Sequence, residues 1–261
     1  MMLAMSVGNS HITFGVHEGS DWIRRWRIQT VPARTSDEYL VVLRTLLDAA
    51  QIPARKTSVA MLASVVPPLT DTMGEAIREL TGRTPLLLSP ALDLGLRITT
   101  ENPAEVGSDL VANAVAALDR FRASCIVVDF GTALSFTAVA APPGELRGVA
   151  IAPGLTAAME SLARTTAQLF TVPLAAPPVT VGRNSTHSIQ AGIVFGYVGL
   201  VGEIIRRMRG ELGSNAPVAV TGGQSQIMAP LLGENLLHEP WLTLEGLRIV
   251  AARSGGGRGN R

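Results

Sequence analysis

The sequence predicts an α/β protein of two duplicated halves, each a mixed sheet flanked by helices, facing one another across a cleft. Three observations carry that expectation. In residues 125–139 the apolar run Cys125, Ile126, Val127 and Val128 reads as a buried strand, which stops on Asp129, turns at Gly131 and enters a second β-rich run. The chain begins with the same grammar, so that Ser6-Val7-Gly8-Asn9-Ser10 lies over Asp129-Phe130-Gly131-Thr132-Ala133, with the alternating Ile12, Phe14 and Val16 after it. Behind each hairpin come a third strand and then helices alternating with single strands. The division falls at residues 1–120 and 121–253, and the Gly-rich tail, 254–261, is expected to be disordered.

Taken in order, the first half reads β-β-β-α-β-α-β. Residues 22–29 form a third strand beside the opening hairpin. Thr35, with Glu38 three residues on, is a capping box, and Leu40, Leu43, Leu46 and Leu47 follow at helical spacing. Residues 58–64 are a short buried strand. Pro67-Pro68 opens a helix that runs to Leu80 and stops at Gly82, and residues 86–88 make another strand. Asn102-Pro103 and Gly107 then break the chain ahead of a helix with apolar positions Val111, Ala114, Val115 and Leu118. The second half repeats the plan with the 125–139 hairpin, a strand over 148–152 and a helix after Pro153-Gly154. A long helical region over 185–208, a strand over 218–221 and a helix over 224–232 complete it.

Composition narrows the function. Charged residues make up 16% of the 261, against about 25% in an average soluble domain, so a buried interface between copies fits better than a monomer. The net charge of +1 gives no field to hold nucleic acid. The clusters Arg24-Arg25-Arg27 and Arg206-Arg207-Arg209 lack an aromatic stacking platform and read as solvated faces. The one cysteine, Cys125, excludes a disulfide framework and reads as a small core residue. No basic-then-apolar leader opens the chain, and the apolar segment 191–205 is short and interrupted by Gly192, Gly196, Gly199, Gly202 and Glu203. A cytoplasmic protein without a membrane span is therefore expected. His11, His17, His187 and His238 show no metal-ligand spacing, and neither a G-x-S-x-G elbow nor a G-x-x-x-x-G-K-[ST] loop is present. Zinc hydrolases, serine hydrolases and P-loop enzymes are set aside.

The turns carry the chemistry. An acid at a strand end beside a Gly turn can hold a cation next to phosphate, and Asp129 stands in that place. Gly131 lets backbone approach a ligand, while the Thr132 hydroxyl and neighbouring amides can donate to phosphate oxygens. Gly8, Asn9 and Ser10 offer the same surface at the first turn. Gly222-Gly223, after Thr221, has the shape on which a base or ribose lies against bare backbone, and reads equally as a plain strand-to-helix loop. Each turn alone is an ordinary glycine turn; their pairing argues for a phosphate clamp. Asp109, in the first turn of its helix, reads in two ways. It is either an acid stabilising a helix N-terminus by about 0.3–1 kcal/mol or a general base for an alcohol.

Two strand-turn-strand loops of this kind resemble the phosphate clamps of the actin, sugar kinase and Hsp70 superfamily, whose domains are ribonuclease H-like. Over nearly the whole chain the motifs together resemble the type III pantothenate kinases of coenzyme A synthesis. SVGNSHITFG resembles that family's first phosphate loop, NPAEVGSDLVANAVAA its NP..VG-x-DR....A segment, and VVDFGTALSF its second phosphate loop. IAPGL, RNSTHSIQAGIVFGYVGLV and TGG complete the order. The resemblance implies an actin-like fold and ATP-dependent phosphorylation of pantothenate to 4'-phosphopantothenate. It implies Asp109 as proton acceptor for the pantothenate hydroxyl, with Thr100, Gly107, Ser108 and Leu110 lining the substrate and Ser185 reaching it across a homodimer interface. Ser6, Gly8, Asn9, Ser10, Gly131 and Thr132 would cradle the ATP phosphates, and Gly222 and Gly223 the adenosine. Asp129 would hold a monovalent cation, K⁺ or NH₄⁺, with Mg²⁺ travelling on the nucleotide.

Departures from the family pattern fall in the same places. Ser6 stands where the first-loop acid is expected, Leu110 replaces the arginine after the catalytic Asp, Thr100 a tyrosine ahead of the NP segment, and Thr137 a later acid of the second loop. A lost charge-assisted contact weakens binding or rate by about 1.5–3 kcal/mol, or about tenfold to a hundredfold. Three readings stay open: a working kinase on pantothenate, a catalytically impaired paralogue kept as a regulatory or binding protein, and a kinase whose less polar pocket takes another small alcohol.

Overall fold

Strands β1 (Met2–Val7) and β2 (His11–Glu18) pair antiparallel, from Met2 opposite His17 to Val7 opposite Ile12, as the apolar alternation of the hairpin requires. A computed structural model describes residues 1–213, 215–233 and 236–256. Strand β3 (Asp21–Gln29) joins β2 at the sheet edge, with Arg24, Arg25 and Arg27 exposed along it. Charge on an edge strand discourages pairing with other chains. Helix α1 (Ser36–Ala49) starts at the expected capping box: Glu38 N donates to Thr35 Oγ1 at 3.3 Å and Thr35 N to Glu38 Oε2 at 2.8 Å. Strand β4 (Val59–Ser64) runs parallel to β1, with Ser6 opposite Ala63. Helix α2 (Pro67–Thr81) begins on its two prolines and ends at Gly82, whose φ of +75° is the left-handed cap that favours glycine. Two short strands, β5 (Leu86–Leu87) and β6 (Arg97–Ile98), precede helix α3 (Ser108–Phe121). The first sheet has the order β3-β2-β1-β4-β5. Leu3, Met5, Ile12 and Phe14 pack with Tyr39 and Leu43 of α1 and Leu69 and Met73 of α2.

The second hairpin repeats this arrangement. Strands β7 (Cys125–Phe130), β8 (Ala133–Ala140) and β9 (Glu145–Pro153) form an antiparallel meander. Helix α4 (Leu155–Thr165) follows Gly154, and helix α5 (Ser185–Leu212) follows the N-cap Asn184, which accepts from His187 N at 2.8 Å. Strand β10 (Val218–Thr221) is parallel to β7. After helix α6 (Ser225–Met228), strand β11 (Leu236–His238) is parallel to β10. Helix α7 (Leu242–Gly256) is the last element. Five neighbouring strands of the second, six-stranded sheet, in the order β9-β8-β7-β10-β11, match β3-β2-β1-β4-β5, so the duplication read from the two turns extends to the sheets.

Two compact units result, Met1–Ala116 with the C-terminal segment from Leu242, and Ala117–Trp241. Helix α7 contacts β1, β2 and β4. Of the segment 254–261, residues 257–261 lie outside the described residues, and 254–256 belong to α7.

Two elements differ from expectation. The helix expected over 224–232 is only the four residues of α6 followed by a 3₁₀ turn at Ala229–Leu231, because Pro230 has no N–H to continue an α-helix. The apolar segment 191–205 is the middle of a 28-residue helix, long and apolar enough by those measures to cross a bilayer, at mean hydropathy 1.6 over 18 residues. Its glycines do not break it: Gly192, Gly196, Gly199 and Gly202 share an outward strip where an added Cβ meets nothing within 4 Å. Val194, Tyr197 and Val201 pack from the same helix into the core with Ile126, Val128 and Phe136.

Candidate functional site

In the first unit the parallel strands β1 and β4 end side by side, where Val65 N donates to Val7 O at 3.0 Å. The C-terminal ends of parallel strands are where α/β sheets bind ligands. The turn after β1 is tight: Gly8 N donates to His11 O at 3.0 Å, and Thr30 closes it from outside. Thr30 Oγ1 donates to Gly8 O at 2.6 Å and Thr30 N to Ser10 O at 3.0 Å. Ser6 is buried one residue before the end of β1, and Asn9 and Ser10 are exposed at the tip. Helix α3 reaches the same place, since Ser108 Oγ donates to Ser64 O at 3.1 Å. The structure thus gathers Ser6, Gly8, Asn9, Ser10, Gly107, Ser108, Asp109 and Leu110 at one end of the first sheet.

Asp109 is half-buried there. Burial pushes its carboxyl above the usual carboxylate range, against the pull of the backbone N–H groups of Leu110 and of Asp109 itself. Leu110 N donates to Oδ1 at 2.8 Å. A Cβ on Gly107 would sit 2.6 Å from that same oxygen, so glycine leaves the carboxylate its room. The Thr100 hydroxyl is buried and has no hydrogen-bond partner among the described residues.

In the second unit Asp129 occupies the place on β7 that Ser6 has on β1: each is one residue short of the strand end and paired with a parallel neighbour, Thr221 and Ala63 respectively. The turn of Gly131 and Thr132 closes with Gly131 N donating to Ala133 O at 3.1 Å. Two further segments press on it. A Cβ on Gly154 would run into Thr132 O and lie 2.8 Å from Gly131 O. Gly222, at φ +97°, would drive a Cβ into Asp129 Oδ1 and to 2.6 Å from Phe130 N. Gln224 N donates to Phe130 O at 3.1 Å, and the Gln224 side chain donates to Thr156 Oγ1 while its carbonyl oxygen is buried without a partner among the described residues. Gly223 is exposed beside it.

Ser185 also lies in the second unit, at the start of α5. It lines an open cavity of about 700 Å³ with Arg183, Asn184 and Ser188 over Leu162 and Ile193. Thr137, by contrast, is buried within β8. The arginine cluster of α5 is a solvated face as expected: Glu203 binds Arg206 and Arg207 at 2.7 Å each, which holds its carboxyl down at about 2. Arg209 Nε donates to Ala216 O at 3.0 Å.

Sequence reasoning did not single out Thr30, Gly154 or Gln224. Thr30 carries no signal beyond following a strand. The Pro153-Gly154 pair did mark a helix start, and Gln224 follows directly on the Gly222-Gly223 turn.

Known proteins bear on these loops. The profile of the type III pantothenate kinase family matches residues 2–207. A type III pantothenate kinase of Anaeromyxobacter sp. (strain K) is 42% identical over 254 residues, 97% of this chain and 100% of its own. That of Myxococcus xanthus (strain DK1622) is 41% identical over 256 residues, covering 97% of this chain and 99% of its own. Among solved structures, MreB 5 of Spiroplasma citri bound to AMPPNP superposes with a TM-score of 0.59 at 8% identity, over 98% of this chain and 97% of its own. The ethanolamine utilization protein EutJ of Carboxydothermus hydrogenoformans does so with a TM-score of 0.52 at 16% identity, over 95% and 89%. The fold is the actin-like one. With the family profile running from the first strand into α5 and full-length relatives above 40% identity, the chain belongs to the type III pantothenate kinase family.

Proposed function

We propose that the protein transfers the γ-phosphoryl group of ATP to the hydroxyl of pantothenate, forming 4'-phosphopantothenate for coenzyme A biosynthesis. The observation that carries this is Asp109, held at the strand-end cluster of the first unit with burial raising its basicity. A carboxyl whose basicity is raised by burial makes a better proton acceptor. Asp109 takes the proton of the attacking hydroxyl, and in-line transfer needs no covalent enzyme intermediate.

The glycine cradles fit a nucleotide. Gly131, Gly154 and Gly222 bring bare backbone to the β7–β8 turn, and side chains in place of Gly154 or Gly222 would clash. In this reading Ser6, Gly8, Asn9 and Ser10 in the first unit, and Gly131 and Thr132 in the second, donate to phosphate oxygens, and Gly222 and Gly223 bear the adenosine. Among the described residues no three His, Cys, Asp or Glu side chains gather to hold a metal. Mg²⁺ would travel on the nucleotide and supply charge neutralisation, and Asp129 would hold a monovalent cation, K⁺ or NH₄⁺. Thr100, Gly107, Ser108 and Leu110 line the pantothenate. Ser185 serves it from a second copy, because the uncovered glycine strip of α5 gives a homodimer a close-packing face.

Turnover of pantothenate and of pantetheine by the purified protein, beside Asp109→Asn, tests the proposal. The expected result is ATP-dependent phosphorylation of pantothenate, with kcat lower by about 10²–10⁴-fold in Asp109→Asn. Turnover of pantetheine alone would show a shifted substrate. A silent protein awakened by Ser6→Asp with Leu110→Arg would be an impaired paralogue.

A further inference from the structure

We infer that His238 and Ser225 are positioning residues that brace the Gly222 turn and through it set the affinity for ATP. The inference rests on the kinase reading for its ligand, and on the second unit alone for its geometry.

Ser225 is fully buried, at 0% exposure, one turn beyond Gly222. Its Oγ lies 2.7 Å from Gly222 O and 2.9 Å from His238 Nε2. A carbonyl oxygen only accepts, so the single hydroxyl hydrogen goes to Gly222 O. The imidazole must therefore supply the hydrogen of the other bond, which fixes His238 with its proton on Nε2. His238 is placed to do this by β11: it stands opposite Val220 of β10, and Glu239 N donates to Val220 O at 2.9 Å.

What the brace holds is a conformation that needs holding. Gly222 has φ +97°, and a Cβ there would run into Asp129 Oδ1 and lie 2.6 Å from the backbone of Phe130, so no side chain fits. Its carbonyl receives Ser225 N at 3.3 Å, a long bond, so the Ser225 hydroxyl is the stronger of its two donors. The order His238, Ser225, Gly222, Asp129 runs from an exposed edge strand to the proposed cation ligand without a gap. None of these groups needs to touch substrate for this; the imidazole and hydroxyl act on the shape of the turn.

The test uses Ser225→Ala, His238→Phe and His238→Gln in the full-length protein, reading KM for ATP, KM for pantothenate, kcat and Tm. A buried hydrogen bond contributes about 1 kcal/mol, so Ser225→Ala and His238→Phe should raise KM for ATP by about fivefold. KM for pantothenate should stay within about twofold in both variants. His238→Gln, whose carboxamide can donate at similar reach, should restore KM for ATP to near the parent value. Equal effects of Phe and Gln, or equal rises in both KM values, would overturn the inference. ¹⁵N NMR of the neutral imidazole supplies a readout independent of activity: hydrogen on Nε2 is expected, and hydrogen on Nδ1 overturns the brace. If the parent shows no turnover, the kinase reading fails, while calorimetric ATP binding and the tautomer still decide the brace.

Discussion

At Asp109 the stability of the fold and the chemistry of the site pull against each other. Burial disfavours the charged carboxylate, so the folded chain holds this proton more tightly than the unfolded chain does. Stability is therefore lost as pH rises from the ordinary carboxylate pKa through the raised folded value, and no loss exists below both. Asp109→Asn should melt at a higher temperature than the parent above that window and at the same temperature below it, which a series of Tm measurements against pH checks. With Asp109 as the proposed base, the acid limb of the parent's kcat/KM profile should lie at higher pH than an ordinary carboxylate would give. At the first turn, Thr30→Val keeps the volume and deletes the 2.6 Å bond to Gly8 O. KM for ATP should rise by about fivefold, for about 1 kcal/mol lost. The place of Asp109 in a first helical turn was legible in the sequence, since it follows from Gly107 and the apolar spacing after it. The burial that changes its basicity depends on β1 and β4 ending beside that helix, a contact between residues far apart in the chain. Thr30 escaped notice for the same reason.

Most elements with local causes were read correctly, the helix cut short by Pro230 being the exception, and an element with a distant cause was missed. The capping box of α1 and the proline start and glycine stop of α2 are written within a few residues of where they act. Helix α7 has no such signature, because it is apolar on most of its surface: Leu242, Leu244, Leu247 and Val250 are all buried. A helix surrounded by protein loses the one-sided periodicity by which sequence reveals helices. It also touches α3 so closely that a Cβ on Gly246 would run into Ala112 O, and Thr243 Oγ1 donates to Asn113 Oδ1 at 2.8 Å. Gly246→Ala should therefore displace the helix that carries Asp109 and lower kcat, without contact to any ligand; a parallel loss of Tm measures the strain. Gly154→Ala tests the second unit in the same way. It should raise KM for ATP by tenfold or more, about 1.4 kcal/mol, and leave KM for pantothenate near the parent value.

For the whole molecule, the duplication was legible because it is written twice in short turns, and the matched strand orders follow from it. What the halves do not share was hidden. Only the first unit recruits a helix from the far end of the chain. Alternation along β1 turns Leu3 and Met5 toward α1 and α2, and leaves Ala4, fully buried, with Met61 of β4 for the side that α7 covers. Removing the chain from Leu242 onward should strip that cover, and hydrogen exchange should show protection lost in β1, β2 and β4. The same arrangement reverses the usual schedule of synthesis, in which the N-terminal domain folds first as the chain emerges. Here β1, β2 and β4 are made before the helix that covers them, and residues 117–241 are made in between. The first unit should therefore keep an apolar sheet surface open until α7 is made, so its yield in the cell should depend on chaperones and on α7 being free to fold back.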